Sequence, residues 1–184
     1  MDVAGTVAAI GEGVTDWNKG DRVVYHGDLT KKGGFAEFAV TTAKSVSKIP
    51  DAISFEEAAA LPTAGYTAYQ ALNRKLPLQH FKTILIHGGA GGVGGFAVQL
   101  ARHAGLTVFS TASSHNHDYV KSLGADYVID YRNEDFKAKV MELTNGRGVD
   151  AVLDTVSRQS ATDSLDVLAF GGHIAFIAGL LISL

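Results

Sequence analysis

The chain has 184 residues, 46% of them hydrophobic and 19% charged, with a formal net charge of −3 and no cysteine. That suits a globular protein with a real core, and the length allows one domain plus part of a second. It excludes disulfides and cysteine-ligated zinc or iron–sulfur sites, fits a reducing cytoplasm, offers no basic field for nucleic acid or an anionic membrane, and leaves 174–184 as the longest apolar run, too short for a bilayer span.

Residues 1–49 are rich in valine, glycine and turn signals. DVAGTVAAIG (2–11) reads as a strand, VTDWNKGD (14–21) as a turn and RVVYH (22–26) as a second strand. The alternating FAEFAV (35–40), behind Gly33 and Gly34, reads as a third. Composition shifts near Pro50. Ser54 and Glu57 hold capping-box spacing, which predicts a helix from Phe55 that stops at Pro62. A second helix is predicted over 63–74, ending before Pro77. Tyr66 and Tyr69 read as core residues of that helix, with cleft lining as the other reading.

From residue 82 strands and helices alternate. The strands are TILIHG, LTVFST (106–111), ADYVIDY (125–131), DAVLDTV (150–156) and GHIAFIAG (172–179). Between them stand helices at VGGFAVQLARHAG, at 116–124, after Asn133 as a cap, and over 157–170. Five strands alternating with four helices predict an α/β fold: a doubly wound parallel Rossmann sheet over 53–184, behind part of a smaller β domain over 1–52. Met1 runs straight into a strand and the last residues are apolar, so the chain reads as a piece of a longer protein, truncated at both ends.

HGGAGGVGG (87–95) stands between the first of these strands and its helix. Gly89, Gly91 and Gly94 match G-x-G-x-x-G. The first glycine is expected to make the tight turn, the second to let backbone reach a pyrophosphate, and the third to let helix and strand pack closely. Free N–H groups and the positive end of the helix dipole would meet the phosphates. An NAD-preferring site needs an acidic residue at the end of the second strand. This chain has Ser110, Thr111, Ala112, Ser113 and Ser114, with no carboxylate before Asp118. Hydroxyls can donate to a 2′-phosphate that a carboxylate would repel, which favours NADPH over NADH. On the other reading, Ser113 and Ser114 only start a helix.

GDRVV (20–24), GGFAEFAV (33–40), LPTAGYTAYQAL (61–72), HGGAGGVG (87–94) and LGADYVIDYRNEDF (123–136) occur in that order. Together they resemble the zinc-independent quinone oxidoreductase (zeta-crystallin-like) branch of the medium-chain dehydrogenase/reductase superfamily, over essentially the whole chain. The resemblance implies a GroES-like β domain on the substrate side, a Rossmann domain for the cofactor, NADPH-dependent reduction of quinones or α,β-unsaturated carbonyls, and a homodimer. Carried over, Gly91, Gly92 and Val93 would sit against the pyrophosphate, and Ser113, Ser114 and Tyr131 near the 2′-phosphate. Thr155, Ala178, Gly179 and Leu180 would line the nicotinamide half, with Thr63 facing it.

The chain departs from that pattern in two places. Where the family often has a lysine for the 2′-phosphate, this chain has Asn116 and His117, and His117 could help only when protonated. The family's tyrosine and asparagine near the reacting carbon lie in strands that would precede this chain, so no catalytic acid is named. No metal site is expected: with no cysteine, the Tyr25–Lys32 loop too short for a zinc lobe and His115-x-His117 lacking further ligands, the histidines read as exposed. The alternatives are a non-catalytic NADPH-binding protein, crystallin-like or redox-sensing, and a zinc alcohol dehydrogenase with ligands in absent segments.

Overall fold

Arg22–His26 (β2) is the strand expected there, with Val23 and Tyr25 buried on one face. This strand pairs antiparallel with Asp2–Thr6 (β1), Asp2 opposite His26, and on its other side with Val46–Lys48 (β3). The computed structural model describes residues 2–28, 30–31 and 33–178. Within it the third strand is β3, not the alternating 35–40 segment. A strand needs a ladder partner and a covered face. Residues 35–40 pair with no strand among the described residues, and Phe35, Phe38 and Val40 stand exposed. The first strand also stops at Thr6, well short of Gly11.

Helix α1 (Phe55–Ala59) starts on the expected capping box. The Ser54 hydroxyl accepts the Glu57 N–H, and the Glu57 carboxylate accepts the Ser54 N–H. The Arg22 guanidinium donates to the carbonyls of Pro50 and Ile53 and covers the Phe55 ring at 4.8 Å, which fixes the entry to α1. Helix α1 packs against β1 and β2. The division of the chain into two compact units falls between Tyr66 and Thr67, inside α2 (Pro62–Gln70). Tyr66 and Tyr69 are about half exposed, so neither is a core residue of that helix.

The second unit is a five-stranded, wholly parallel sheet. Its strands are β4 (Thr83–Ile86), β5 (Thr107–Ala112), β6 (Tyr127–Asp130), β7 (Val149–Asp154) and β8 (Leu168–Phe176), in the order β6-β5-β4-β7-β8. The helices are α3 (Gly92–His103), α4 (His117–Ser122), α5 (Phe136–Leu143) and α6 (Arg158–Asp163). Successive side chains of a strand face opposite ways. Ile84, Ile86, Val108, Ala151 and Leu153 therefore pack with Ala97, Val98 and Ala101 of α3 and Val120 of α4. Leu85, Phe109, Ile129 and Val152 pack on the other side with Val140 of α5 and Val167. Both faces are covered, which is the doubly wound arrangement the sequence predicts.

Two boundaries differ from expectation. Asn133 does not cap α5. Its amide donates to Asp130 at 2.7 Å, and the Asp135 carboxylate caps the helix by accepting the Lys137 N–H. The helix predicted over 157–170 ends at Asp163 and gives way to a 3-10 turn, after which β8 starts at Leu168. Pairing of Leu168 with Val149 overrides the helical pattern there. The strand then bulges, with Gly171 at φ 74° and Phe170 fully exposed, before His173 pairs with Ala151.

Candidate functional site

The chain leaves β4 outward to β5 and β6, then returns to begin β7 on the other side of β4. In open parallel sheets, ligands bind beyond the carboxyl ends of the strands at such a reversal. The glycine segment lies there. The tight turn is made by Gly88, at φ 73°, rather than by Gly89 as expected. A Cβ on Gly88 would also press on Thr155 Oγ1 at 2.8 Å. Gly89 is bare for a different reason: a Cβ there would overlap the hydroxyl of Ser110, which donates to the Ile86 carbonyl. A Cβ on Gly94 would overlap the Gly88 carbonyl, so the third glycine lets α3 settle onto the turn, as read from the sequence.

Gly91 is the N-cap of α3 and has no side chain to cap it. Helix geometry leaves the N–H groups of Gly92 and Val93 without intrahelical acceptors. Gly91 and Gly92 are exposed, so this mouth is open backbone carrying the positive end of a three-turn helix.

A cleft of about 310 Å³ opens over it. Gly88, Ala90 and Gly91 form one side; Thr111, Ala112, Ser113 and Asn116, at the end of β5, form another; Tyr131, Phe136, Val156 and Ser160 close it. Gly91, Ser113 and Tyr131 are thus brought into one cleft, with Gly89 and Gly94 packed within the turn. Ser113 is buried and its hydroxyl accepts from the Asn116 amide at 3.3 Å, whereas Ser114 is exposed and does not line the cleft. Thr155 is half-buried beside Gly88, its hydroxyl donating to the His87 carbonyl at 2.7 Å. Ala178 is half-buried just past β8, and Gly179 and Leu180 lie outside the described residues. Thr63 belongs to the first unit. Its N–H and hydroxyl donate to the two oxygens of Asp2 at 2.9 and 2.7 Å, and His26 Nδ1 also contacts Asp2 at 2.9 Å.

Three features escaped the sequence reading. The Arg132 Nε donates to the Tyr131 hydroxyl at 3.3 Å, and its guanidinium stands 5.7 Å from that ring, so a cation accompanies the tyrosine at the cleft mouth. Adjacency in YRNEDF was the available signal. His117 is half-buried rather than exposed, and its Nε2 is buried with no hydrogen-bond partner among the described residues. The Asp130 carboxyl is held below its ordinary value by the Asn133 amide and the Arg132 N–H, with a smaller contribution from His117. His87, expected to be exposed like the other histidines, is buried and lines the cleft. Among the described residues no group of three or more potential ligands is placed to hold a metal, and no helix is long and apolar enough to cross a membrane.

Residues 1–51 match the family described as alcohol dehydrogenase GroES-like domain, and residues 92–182 match zinc-binding dehydrogenase. The chain is 43% identical over 157 residues to a chloroplast envelope quinone oxidoreductase homolog of Arabidopsis thaliana, covering 83% of this chain and 47% of that protein. It is 36% identical over 177 residues to phthioceranic/hydroxyphthioceranic acid synthase of Mycobacterium bovis, covering 96% of this chain and 8% of that protein. Among solved structures, the CurK enoyl reductase superposes with a TM-score of 0.90 at 36% identity, covering 99% of this chain and 54% of that one. The quinone oxidoreductase from Coxiella burnetii gives 0.83 at 40% identity (94% and 53%), and a mycobacterial protein complexed with NADPH gives 0.87 at 38% (97% and 56%). The chain spans about half the length of these structures and under a tenth of the synthase. With both halves matched and the fold shared, the chain belongs to the quinone oxidoreductase branch of the medium-chain dehydrogenase/reductase superfamily.

Proposed function

We propose that the second unit binds NADPH, and that the protein uses it to reduce a quinone or an α,β-unsaturated carbonyl. The carrying observation is the cleft that sets bare backbone at the mouth of α3 opposite Ser113, Asn116 and Tyr131, with no carboxylate among its lining residues. Gly91, Gly92 and Val93 would hold the pyrophosphate through N–H groups and the helix dipole. Ser113, Asn116 and Tyr131 would hold the 2′-phosphate, with Arg132 supplying the charge that the absent lysine does not. Thr155 and Ala178, with Gly179 and Leu180, are assigned to the nicotinamide half.

Bound NADPH supplies a hydride to an acceptor already made electrophilic by conjugation. The protein then has to position both partners and exclude water, so the proposal carries no zinc, in keeping with a chain that has no thiolate ligands. The enoyl reductase and quinone oxidoreductase names of similar structures support this pair of substrate classes. The family resemblance supports a cytoplasmic homodimer, to be checked by sedimentation of the full-length protein.

The test is NADPH oxidation by the full-length protein with a quinone and with an enone. Turnover with either supports the enzyme; tight NADPH binding with no turnover on both would leave a non-catalytic nucleotide-binding protein. Arg132→Gln should weaken NADPH roughly tenfold while leaving NADH affinity unchanged, because only NADPH carries the extra phosphate. Equal losses for both nucleotides in calorimetry would remove Arg132 from the site.

A further inference from the structure

His87 is 3% exposed and sits beneath the glycine turn. Its Nε2 lies 2.8 Å from the Ser164 hydroxyl and its Nδ1 lies 3.2 Å from that of Thr111. The neighbours fix the direction of each bond. The Ser164 hydroxyl donates to the Ser160 carbonyl at 2.7 Å, so toward His87 it can only accept, and Nε2 carries the proton. A neutral ring then has a bare Nδ1, which accepts from Thr111. The Thr111 oxygen accepts the Gly88 N–H at 3.1 Å, and the Thr111 carbonyl accepts the Gly89 N–H at 3.0 Å. One polar chain therefore runs from Gly88 through Thr111, His87 and Ser164 to Ser160. It joins the turn after β4, the end of β5 and the α6 region.

We propose that His87, as the neutral Nε2–H tautomer, is the positioning residue of the dinucleotide cradle, acting through the Thr111 hydroxyl to hold the Gly88 peptide and with it the mouth of α3. This rests on the reading that the cleft takes NADPH. Without the imidazole acceptor the Thr111 hydroxyl has no fixed orientation, and the Gly88 N–H loses a preorganised partner. Gly88 is also the residue onto which Gly94 packs, so a loosened turn displaces the N–H groups that meet the phosphates.

The charged groups acting on the ring are Asp154 and Asp163, while Phe136 offers only a ring edge at 4.8 Å. Burial lowers the His87 pKa below its ordinary value, against the smaller opposing pull of those two carboxylates. The folded protein thus keeps the ring neutral where the unfolded chain would take a proton. Its contribution to stability is present above the unfolded value of 6.5 and is lost as pH falls below it.

The test is a double-mutant cycle on the full-length protein, read by NADPH calorimetry. His87→Phe and Thr111→Val should each weaken NADPH about tenfold, and the double variant about tenfold rather than a hundredfold. His87→Asn, whose Oδ1 can stand in for Nδ1, should recover most of the affinity, while His87→Gln, which restores only the Ser164 bond, should not. Nitrogen-15 spectra of the wild type should show the Nε2–H tautomer at about pH 8, with His87 taking a proton only below the range of an ordinary histidine. Additive losses, or an Nδ1–H tautomer, would overturn the role of His87 while NADPH still binds the wild type. A wild type that binds no NADPH would overturn the dinucleotide reading itself.

Discussion

Gly94→Ala should abolish measurable NADPH binding and cost about 2–4 kcal/mol of stability. The added Cβ would fall on the Gly88 carbonyl oxygen, with the Gly88 carbon at 2.7 Å and Gly89 Cα at 2.9 Å. All three atoms are backbone, so no side chain can swing aside. Alanine has an advantage of about 1 kcal/mol over glycine inside a helix, but that does not offset an overlap with main chain. Either α3 lifts away from the turn or the turn opens, and both changes move the N–H groups at the helix mouth. Gly91→Ala separates the two consequences. Its Cβ would meet only the Gly88 carbonyl, at 3.3 Å, and Gly91 has an ordinary extended conformation. Its melting temperature should stay close to that of the wild type while NADPH affinity falls about tenfold, because the methyl would intrude where the proposed site takes the pyrophosphate. Thermal melts paired with calorimetry distinguish the two variants. A Gly94→Ala protein with unchanged melt and unchanged affinity would mean that α3 does not rest on Gly88.

The regular part of the second unit was legible because both faces of its sheet are covered by nearby chain. Ile84, Leu85 and Ile86 are all fully buried, and a short continuous apolar run that leads into a glycine-rich turn has few other solutions. The glycine spacing likewise placed the mouth of α3, because the close approach of Gly94 to Gly88 is a local, short-range constraint. What failed depended on which partner the fold supplies, whether across the sheet or a few residues away. Alternation at 35–40 signals a strand only if another strand is available, and Phe35 and Phe38 are exposed. LAF (168–170) continues a helical pattern, yet Val149 across the sheet claims Leu168. Asn133 is a good cap by type, but the Asp130 carboxylate binds it first. The tight turn went to Gly88 instead of Gly89, since spacing counts glycines without saying which carries a positive φ. His87 and Arg132 were passed over for a related reason. Their importance lies in Thr111, Ser164 and the Tyr131 ring, and the sequence does not show which of a chain's several histidines and arginines will be so placed.

Replacing Asp150 should cost about 3 kcal/mol at neutral pH. Its carboxylate stands at the start of β7 and is 8% exposed. It accepts the N–H groups of Lys82 and Thr83 at 2.8 and 3.0 Å and the Thr83 hydroxyl at 3.0 Å, and the Arg147 guanidinium donates to its other oxygen. The Thr83 hydroxyl accepts the Asp150 N–H at 2.9 Å, so the two residues clamp β4 to its neighbour β7 where both strands begin. Asp150→Ala leaves two main-chain donors and a guanidinium without their acceptor. Asp150→Asn keeps the shape but gives up the charge. Burial alone would raise the pKa of this group, but the Lys82 N–H, the Arg147 guanidinium and both donors of Thr83 outweigh it and hold the value below 3.8. A depressed carboxylate pKa contributes stability that is present above the unfolded value and lost as pH falls through the folded one. Urea melts of wild type and Asp150→Asn should therefore show a constant gap from pH 7 to about pH 5, and the gap should close as the pH drops below about 4, because the protonated wild type comes to resemble the amide. A gap that persists undiminished into that acid range would mean that the ionised carboxylate is not what joins the two strands.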